Sequence, residues 1–398
     1  MIYDYAIDMN QNRAVIAAAS RTPFGKYRGG ISSVRPDDLL SLTFQNLLTK
    51  VPNLDPVTID EVIAGNSNGA GEDNRNVARM SLLLAKIPVT VPAVTVNRLC
   101  GSGAEAIAQA GRLIRTGEAE VVIAGGVESM SRAPWVLPKS DTPLDPKQFL
   151  QQTTIGWRMI NPLMPVQWLS SLGESAEKVG ERLGISRSAQ DEWAVRSHHL
   201  AHAAWEKGFN DYVFEVNGVS RDECIRPDSS TEKLATLPPA FTKTGPVTAG
   251  NSSPLNDGAA ATLITSERKA KELGIEPVAY ILSSAVAALA PNEFTIGPVP
   301  AIRKALAIAG KKISDVAIFE INEAFAAMVL SVLHEMPEID PANVNPNGGA
   351  IAIGHPIGAS GTRIVADLAR ALKARGGGIG VAAACIGIGQ GIAMVIEV

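Results

Sequence analysis

The chain has 398 residues, too many for one ordinary core, and so calls for two or three domains. With 46% hydrophobic and 19% charged residues it is an ordered globular protein, and a net charge of −4 argues against nucleic acid as its main partner. Three cysteines exclude a disulfide framework and suit a reducing cytoplasm, no apolar run is long enough to span a membrane, and Met1 to Asn12 carries neither a signal-peptide core nor an arginine-rich transit pattern.

Ala14 to Ala19 reads as a first buried strand and Pro36 to Leu48 as a helix with Asp37 and Asp38 in its first turn. Val62 to Gly65 is a short strand and Asn76 to Ala85 a helix. Val91 to Val96, mostly apolar and β-branched, reads as a buried strand leading to Cys100-Gly101-Ser102-Gly103. Ala104 to Arg115 is a helix stopped by Gly117, and Val121 to Ala124 a very apolar strand ending in Gly125-Gly126. Alternating strands and helices with near-continuous apolar strands give an α/β layered fold. From Ala133 to about Gly250 the chain gains Pro, Trp, Gln and polar loops, and Ser186 to Gly208 is a capped helix. Its His198, His199 and His202 lack further ligands for a metal and read as a solvated face. Cys224 lies in a polar loop and reads as incidental. Strand character returns at Gly258 to Thr265, Val278 to Val286, Val316 to Ile321, Gly378 to Ala383 and Ile392 to Glu397. Helices fall at Pro300 to Ala309, after Phe325, and at Ile364 to Lys373. A glycine-led helix, glycine stop and apolar strand follow both Gly101 and Gly358, a weak echo of two similar halves with an insertion in the first.

Four positions can carry chemistry. Cys100 falls between a strand and a helix N-terminus, where unpaired N–H groups and the helix dipole favour a thiolate; a buried structural cysteine is the alternative. His355, in Gly354-His355-Pro356-Ile357-Gly358, could take its proton, or be a satisfied loop histidine. Cys385 precedes Ile386-Gly387-Ile388-Gly389, a loop able to aim N–H groups at an oxyanion, or a tight turn over a small buried residue. Asn322, at a strand end, could hold a water or donate to a carbonyl, with a helix N-cap as the plainer alternative. Together these residues form an acyl-transfer site.

Cys100-Gly-Ser-Gly, Asn322-Glu-Ala-Phe, Gly354-His-Pro-Ile-Gly-Ala-Ser-Gly and Cys385-x-Gly-x-Gly, in this order, resemble the thiolases, acetyl-CoA acyltransferases, along essentially the whole chain. The resemblance implies two βαβαβαββ halves in five layers with an inserted loop domain. Residues 1–128, completed by about 255–277, would form the N-terminal half, 129–254 the coenzyme A-binding insertion, and 278–398 the C-terminal half. It implies Cys100 as the acylated nucleophile and His355 as its activator. His355 and a water on Asn322 would form one oxyanion hole, and the N–H groups of Cys100 and Gly387 a second. Cys385 would be the acid and base at the acetyl α-carbon. Val247 to Ser253 matches the pantetheine loop and implicates Ala249 and Ser253; Arg226 and Phe241 match positions near the nucleotide, and Ala324 and Phe325 the pantetheine tunnel. Coenzyme A is then a co-substrate, with acyl-CoA the only other small partner, no permanently bound cofactor or metal, and a homodimer or homotetramer the expected assembly.

Gly69 to Asn76 and Gly156-Trp157-Arg158 through Met164 are similar to β-ketoadipyl-CoA thiolases, which points to 3-oxoadipyl-CoA. Arg158 is a candidate contact for an acidic acyl chain, with a surface arginine the plain alternative. Ser171-Leu172-Gly173, Phe294 and Pro254 depart from patterns common in thiolases and fall near the acyl pocket and pantetheine loop. An acetyltransferase forming acetoacetyl-CoA and a non-catalytic acyl-CoA-binding protein are the alternatives. A ketoacyl synthase is disfavoured by the second cysteine.

Overall fold

The computed structural model describes residues 13–140, 142–144 and 148–398, so the reading of Met1 to Asn12 lies outside the described residues. The first half runs β1 Ala14–Arg21, α1 Pro36–Thr49, β2 Glu61–Gly65, α2 Val77–Leu84, β3 Ala93–Val96, α3 Ser102–Thr116 and β4 Val121–Ser129. Helices α4 Leu172–Arg182 and α5 Arg187–Glu206 follow in a long, loop-rich stretch before β5 Asn256–Ser266. The second half runs β6 Ala279–Ala288, α6 Pro298–Ala309, β7 Val316–Ile321, α7 Ala326–Glu335, α8 Ile357–Ala374, β8 Ile379–Ile386 and β9 Gln390–Glu397.

These strands form one sheet in the order β7-β8-β9-β6-β1-β5-β4-β2-β3, with Gly25–Lys26 paired to β5 as a tenth member. Within the sheet the halves are joined where Val15 lies opposite Tyr280 and Ile16 opposite Ala279. In each half the first strand pairs with the last, and the last with the strand after the central helix. The echo in the sequence is thus a repeat of topology. Val344 even bridges Phe319 where β3 lies beside β2.

Side-chain alternation along the strands builds five layers. Val121 and Ile123 of β4 join α1 and α2 in one outer core. Val381, Ala383 and Cys385 of β8 join α6 and α7 in the other. Val122, Ala124, Ala382 and Ala384 all face the middle, where Ile107 of α3 and Ile364 and Leu368 of α8 fill a core shared by both halves of the sheet.

The two middle helices cross at glycines. A Cβ on Gly103 would lie 2.7 Å from the Thr362 nitrogen, and one on Gly361 2.3 Å from the Ala104 nitrogen. Each glycine sits in its helix's first turns, so the crossing brings the residues preceding α3 and those preceding α8 together.

Several expectations are corrected. Val91 to Val96 is not a buried strand: β3 is half-exposed and, among the described residues, pairs only with β2, leaving its outer edge open. Gly125-Gly126 does not end β4, which runs on to Ser129; a Cβ at Gly126 would lie 2.0 Å from the Gly358 carbonyl oxygen, so glycine is needed for close approach. The last long helix starts at Ile357 rather than Ile364, because the small residues Gly358 to Gly361 pack against α3. His198 is buried rather than solvated, its Nδ1 accepting the Arg226 N–H at 3.2 Å. Cys224 is buried too, with its sulfur accepting from Asn256 Nδ2 at 3.4 Å.

Candidate active site

Cys100 lies in a single 3-10 turn, Leu99–Gly101, leading into α3. Leu99 holds φ +45°, a left-handed conformation that costs a side-chain-bearing residue energy and is kept by its surroundings. The backbone N–H groups of Gly387 and of Cys100 itself are close enough to the Cys100 sulfur to favour its thiolate. Gly387 begins the turn Gly387-Ile388-Gly389 between β8 and β9, where Ile388 also has φ +65°.

The expectation of a thiolate favoured by the helix N-terminus is corrected. Burial pushes the Cys100 thiol up to about 11, against the pull of the two N–H groups, and the nearby Glu128 charge adds to the rise. Glu128 is itself buried at the end of β4. Its carboxylate accepts from the Ser67 hydroxyl and N–H and from the Gly358 N–H at the start of α8, while burial raises its pKa.

His355 precedes α8. Burial, with the Arg363 charge added, brings its imidazole down to about 4, so the ring is neutral at pH 7. Its Nδ1 lies 2.6 Å from Ser360 Oγ, and that hydroxyl donates its one proton to the Pro356 carbonyl at 2.9 Å. Ser360 can then only accept, which puts the ring proton on Nδ1 and leaves Nε2 with a lone pair. Asn322 Nδ2 donates to that Nε2 at 3.3 Å. The His355 backbone N–H donates to Asn256 Oδ1 at 2.9 Å, fixing the loop to β5.

Asn322 is not a helix N-cap. Its backbone N–H extends the β7–β8 pairing to Ala383, and α7 begins only at Ala326. Next to it, buried Glu323 accepts from Trp193 Nε1 at 2.9 Å, Ser197 Oγ at 2.6 Å and Asn345 Nδ2 at 2.9 Å, tying this turn to α5. Cys385 is fully buried near the end of β8, and burial together with the neighbouring Cys100 charge raises its thiol well above the ordinary range. It is a thiol at neutral pH.

The structure brings together Cys100, His355, Cys385, Asn322 and Gly387. Ala324, Phe325, Phe241 and Ser253 form an adjoining group. Phe241 and Phe325 meet edge to face at 5.7 Å, and the Ser253 N–H donates to the Ala324 carbonyl at 3.0 Å. Ala249 is exposed on the same 247–253 loop. Arg226 stands apart: it is exposed, and its N–H is bound to His198. Sequence reasoning missed Ser360, Asn256, Glu128 and Glu323, which orient the site from behind. Ser360 alone carried a local signal, its place five residues after His355. The wall beside Gly387 was also missed: a Cβ there would meet Trp157 Cη2 at 3.3 Å and Leu172 and Leu99 side-chain carbons at 3.4 Å.

Residues 14–268 match the family described as Thiolase, N-terminal domain, and 275–398 that described as Thiolase, C-terminal domain. Over 396 residues the chain is 46% identical to the 3-oxoadipyl-CoA/3-oxo-5,6-dehydrosuberyl-CoA thiolase of Escherichia coli strain K12, covering 96% of this chain and 99% of that one. It is 46% identical over 393 residues to a beta-ketoadipyl-CoA thiolase of Pseudomonas knackmussii, with 96% and 98% covered. The crystal structure of human mitochondrial 3-ketoacyl-CoA thiolase in complex with CoA matches at a TM-score of 0.91 and 37% identity, over 97% and 98% of the two chains. That of the Bacillus anthracis acetyl-CoA acetyltransferase matches at 0.88 and 39%, again over 97% and 98%.

Proposed function

The chain belongs to the thiolase family of acyltransferase enzymes, and from that premise we propose that it cleaves 3-oxoadipyl-CoA with coenzyme A as co-substrate, giving acetyl-CoA and succinyl-CoA. The observation that carries the reading is a buried, neutral His355 whose Nε2 keeps its lone pair and accepts from Asn322 Nδ2, in a site that also holds two buried thiols, Cys100 and Cys385. The identity to curated 3-oxoadipyl-CoA thiolases disfavours both an acetoacetyl-forming acetyltransferase and a silent acyl-CoA-binding protein.

In this mechanism the Cys100 sulfur attacks the 3-keto carbon while its proton passes to His355 Nε2. The alkoxide oxygen is held by N–H donors. The C2–C3 bond then breaks, its electron pair leaving as the acetyl-CoA enolate, and the Cys385 thiol protonates C2. Coenzyme A enters, gives its thiol proton to the Cys385 thiolate and attacks the acyl carbon; the C–S bond to Cys100 breaks, and the departing sulfur takes back its proton from His355. The N–H groups of Gly387 and Cys100, both near the Cys100 sulfur, suit an oxyanion at the acyl carbon. Asn322, whose Oδ1 is buried without a protein partner, suits a bound water beside His355. Phe241, Ala249, Ser253, Ala324 and Phe325 would hold pantetheine, and Arg226 the nucleotide.

We further propose a homodimer or homotetramer. Its support is the open edge of β3 with exposed Val94, and apolar side chains left exposed at Val89, Trp135, Phe149 and Leu163. Light scattering giving a monomer mass would refute it. No helix among the described residues is long and apolar enough to cross a membrane. Three free thiols fit a cytoplasmic setting.

The test of function is thiolysis of 3-oxoadipyl-CoA, acetoacetyl-CoA and a medium-chain 3-ketoacyl-CoA by the purified protein. The highest kcat/KM is expected for 3-oxoadipyl-CoA. Preference for either of the others would overturn the substrate assignment.

A further inference from the structure

An acyl chain that ends in a second carboxylate sets this site a particular demand. Cleavage of such a chain puts its acid group three carbons beyond the ketone attacked by Cys100, and Gly387, beside Cys100, is walled by Trp157, Leu172 and Leu99. These side chains are apolar, so a carboxylate entering here needs a cation or lies desolvated and unpaired.

Arg158 follows Trp157 in the chain. It is half-buried in the loop before α4. Its Nη2 donates to Asn68 Oδ1 at 2.9 Å. Asn68 is buried and held in one orientation: its Nδ2 donates to Thr153 Oγ1 at 3.0 Å, and that hydroxyl donates onward to the Pro134 carbonyl at 2.8 Å. The neighbouring Ser67 carbonyl accepts from Asn97 Nδ2 at 3.0 Å, and Asn97 Oδ1 accepts the Leu99 N–H at 2.9 Å. Arg158 is therefore tethered through Asn68 to the segment that carries Leu99 and Cys100, and by the chain itself to Trp157. Among the described residues it forms no ion pair, whereas the partly exposed Arg98, Arg132 and Arg187 each hold a carboxylate. One edge of its guanidinium is fixed by a neutral amide and the rest of the fork is left open.

We propose that Arg158, oriented by Asn68, binds the terminal carboxylate of a short dicarboxylic 3-ketoacyl-CoA and is the residue that selects it over neutral chains. The inference rests on the thiolase reading above and deepens it. A planar guanidinium with one edge anchored presents a carboxylate with paired donors, a match that lysine reproduces only in charge.

The experiment compares kcat/KM for 3-oxoadipyl-CoA and for 3-oxohexanoyl-CoA, which has the same chain with a methyl end, in wild type, Arg158→Met and Arg158→Lys. Wild type should favour the dicarboxylate. Arg158→Met should lower the ratio of the two values by about 30-fold, the loss expected for one charge-assisted carboxylate contact, and Arg158→Lys should keep part of it. Because both substrates are read on the same preparation, a general folding defect leaves the ratio unmoved. A high wild-type ratio that Arg158→Met retains overturns this inference alone. A wild-type ratio near one overturns the substrate reading and this inference with it.

Discussion

At Cys100 the N-terminal end of α3 and burial act in opposite directions. A helix N-terminus is worth about 0.3–1 kcal/mol to an anion. The rise of the thiol to about 11 corresponds to roughly 3 kcal/mol, so burial wins and the resting nucleophile keeps its proton. On the proposed mechanism His355 Nε2 takes it, and the Ser360 contact, which fits a proton on Nδ1, serves the same step. The proposed mechanism gives Cys385 a separate task. Replacing it with Ala should leave acetylation of Cys100 by acetyl-CoA largely intact. The same change should slow thiolysis, and exchange of the acetyl methyl protons with deuterated water, by about 10²–10⁴-fold, as loss of a positioned acid and base does. Deuterium exchange is followed by NMR. Loss of acetylation with exchange preserved would mean that the two thiols have each other's roles.

The element that positions the site is the crossing of α3 and α8. Gly361→Ala gains about 1 kcal/mol in helix propensity, but its Cβ would meet the Ala104 backbone nitrogen at 2.3 Å. Overpacking against backbone outweighs that gain, and a net loss of about 2 kcal/mol is expected in urea unfolding, with slower Cys100 acetylation as the two helix starts separate. A variant as stable and as fast as wild type would show that the crossing has slack. Most elements were legible because their signals are local: Gly117 and Gly310 end helices with φ +72° and +65°, and Asn76 caps α2 through its side chain. Glycines at packing contacts were misread as breaks, since Gly126 owes its identity to Gly358, 232 positions on, and Gly358 to the Gly65 and Val127 carbonyls, and not to the local backbone. The open edge of β3 was misread for the same kind of reason, because composition does not reveal which strand ends a sheet. Cys100, His355, Cys385 and Asn322 could be picked out as strand-end and loop residues with reactive groups. The supports behind them could not, because Asn256, Glu128 and Glu323 look like any polar residue until the fold brings their partners.

Over the whole molecule, burial that shapes the site also shapes stability. Burial, with the charge of Arg226, brings His198 down to about 4. Between about pH 4 and 6.5 the unfolded chain binds a proton that the folded imidazole refuses. The stabilisation is therefore full above 6.5 and lost as pH falls toward 4, by up to about 3 kcal/mol. Buried Glu128 and Asp257, whose carboxyls are raised by burial, act in the opposite sense, so the effect is best isolated by comparison. The stability advantage of wild type over His198→Gln in urea should shrink by about 3 kcal/mol from pH 7 to pH 4. A constant difference would mean that the imidazole titrates alike in both states. The two halves, the helix crossing and the paired thiols converge on one claim, that this chain carries an acyl group on Cys100. Incubation with acetyl-CoA alone, followed by mass spectrometry of the intact chain and its peptides, tests that claim most directly. One acetyl group per chain on the peptide containing Cys100, lost in Cys100→Ser, is the predicted result. Label confined to Cys385 or Cys224, or no label at all, would contradict the account.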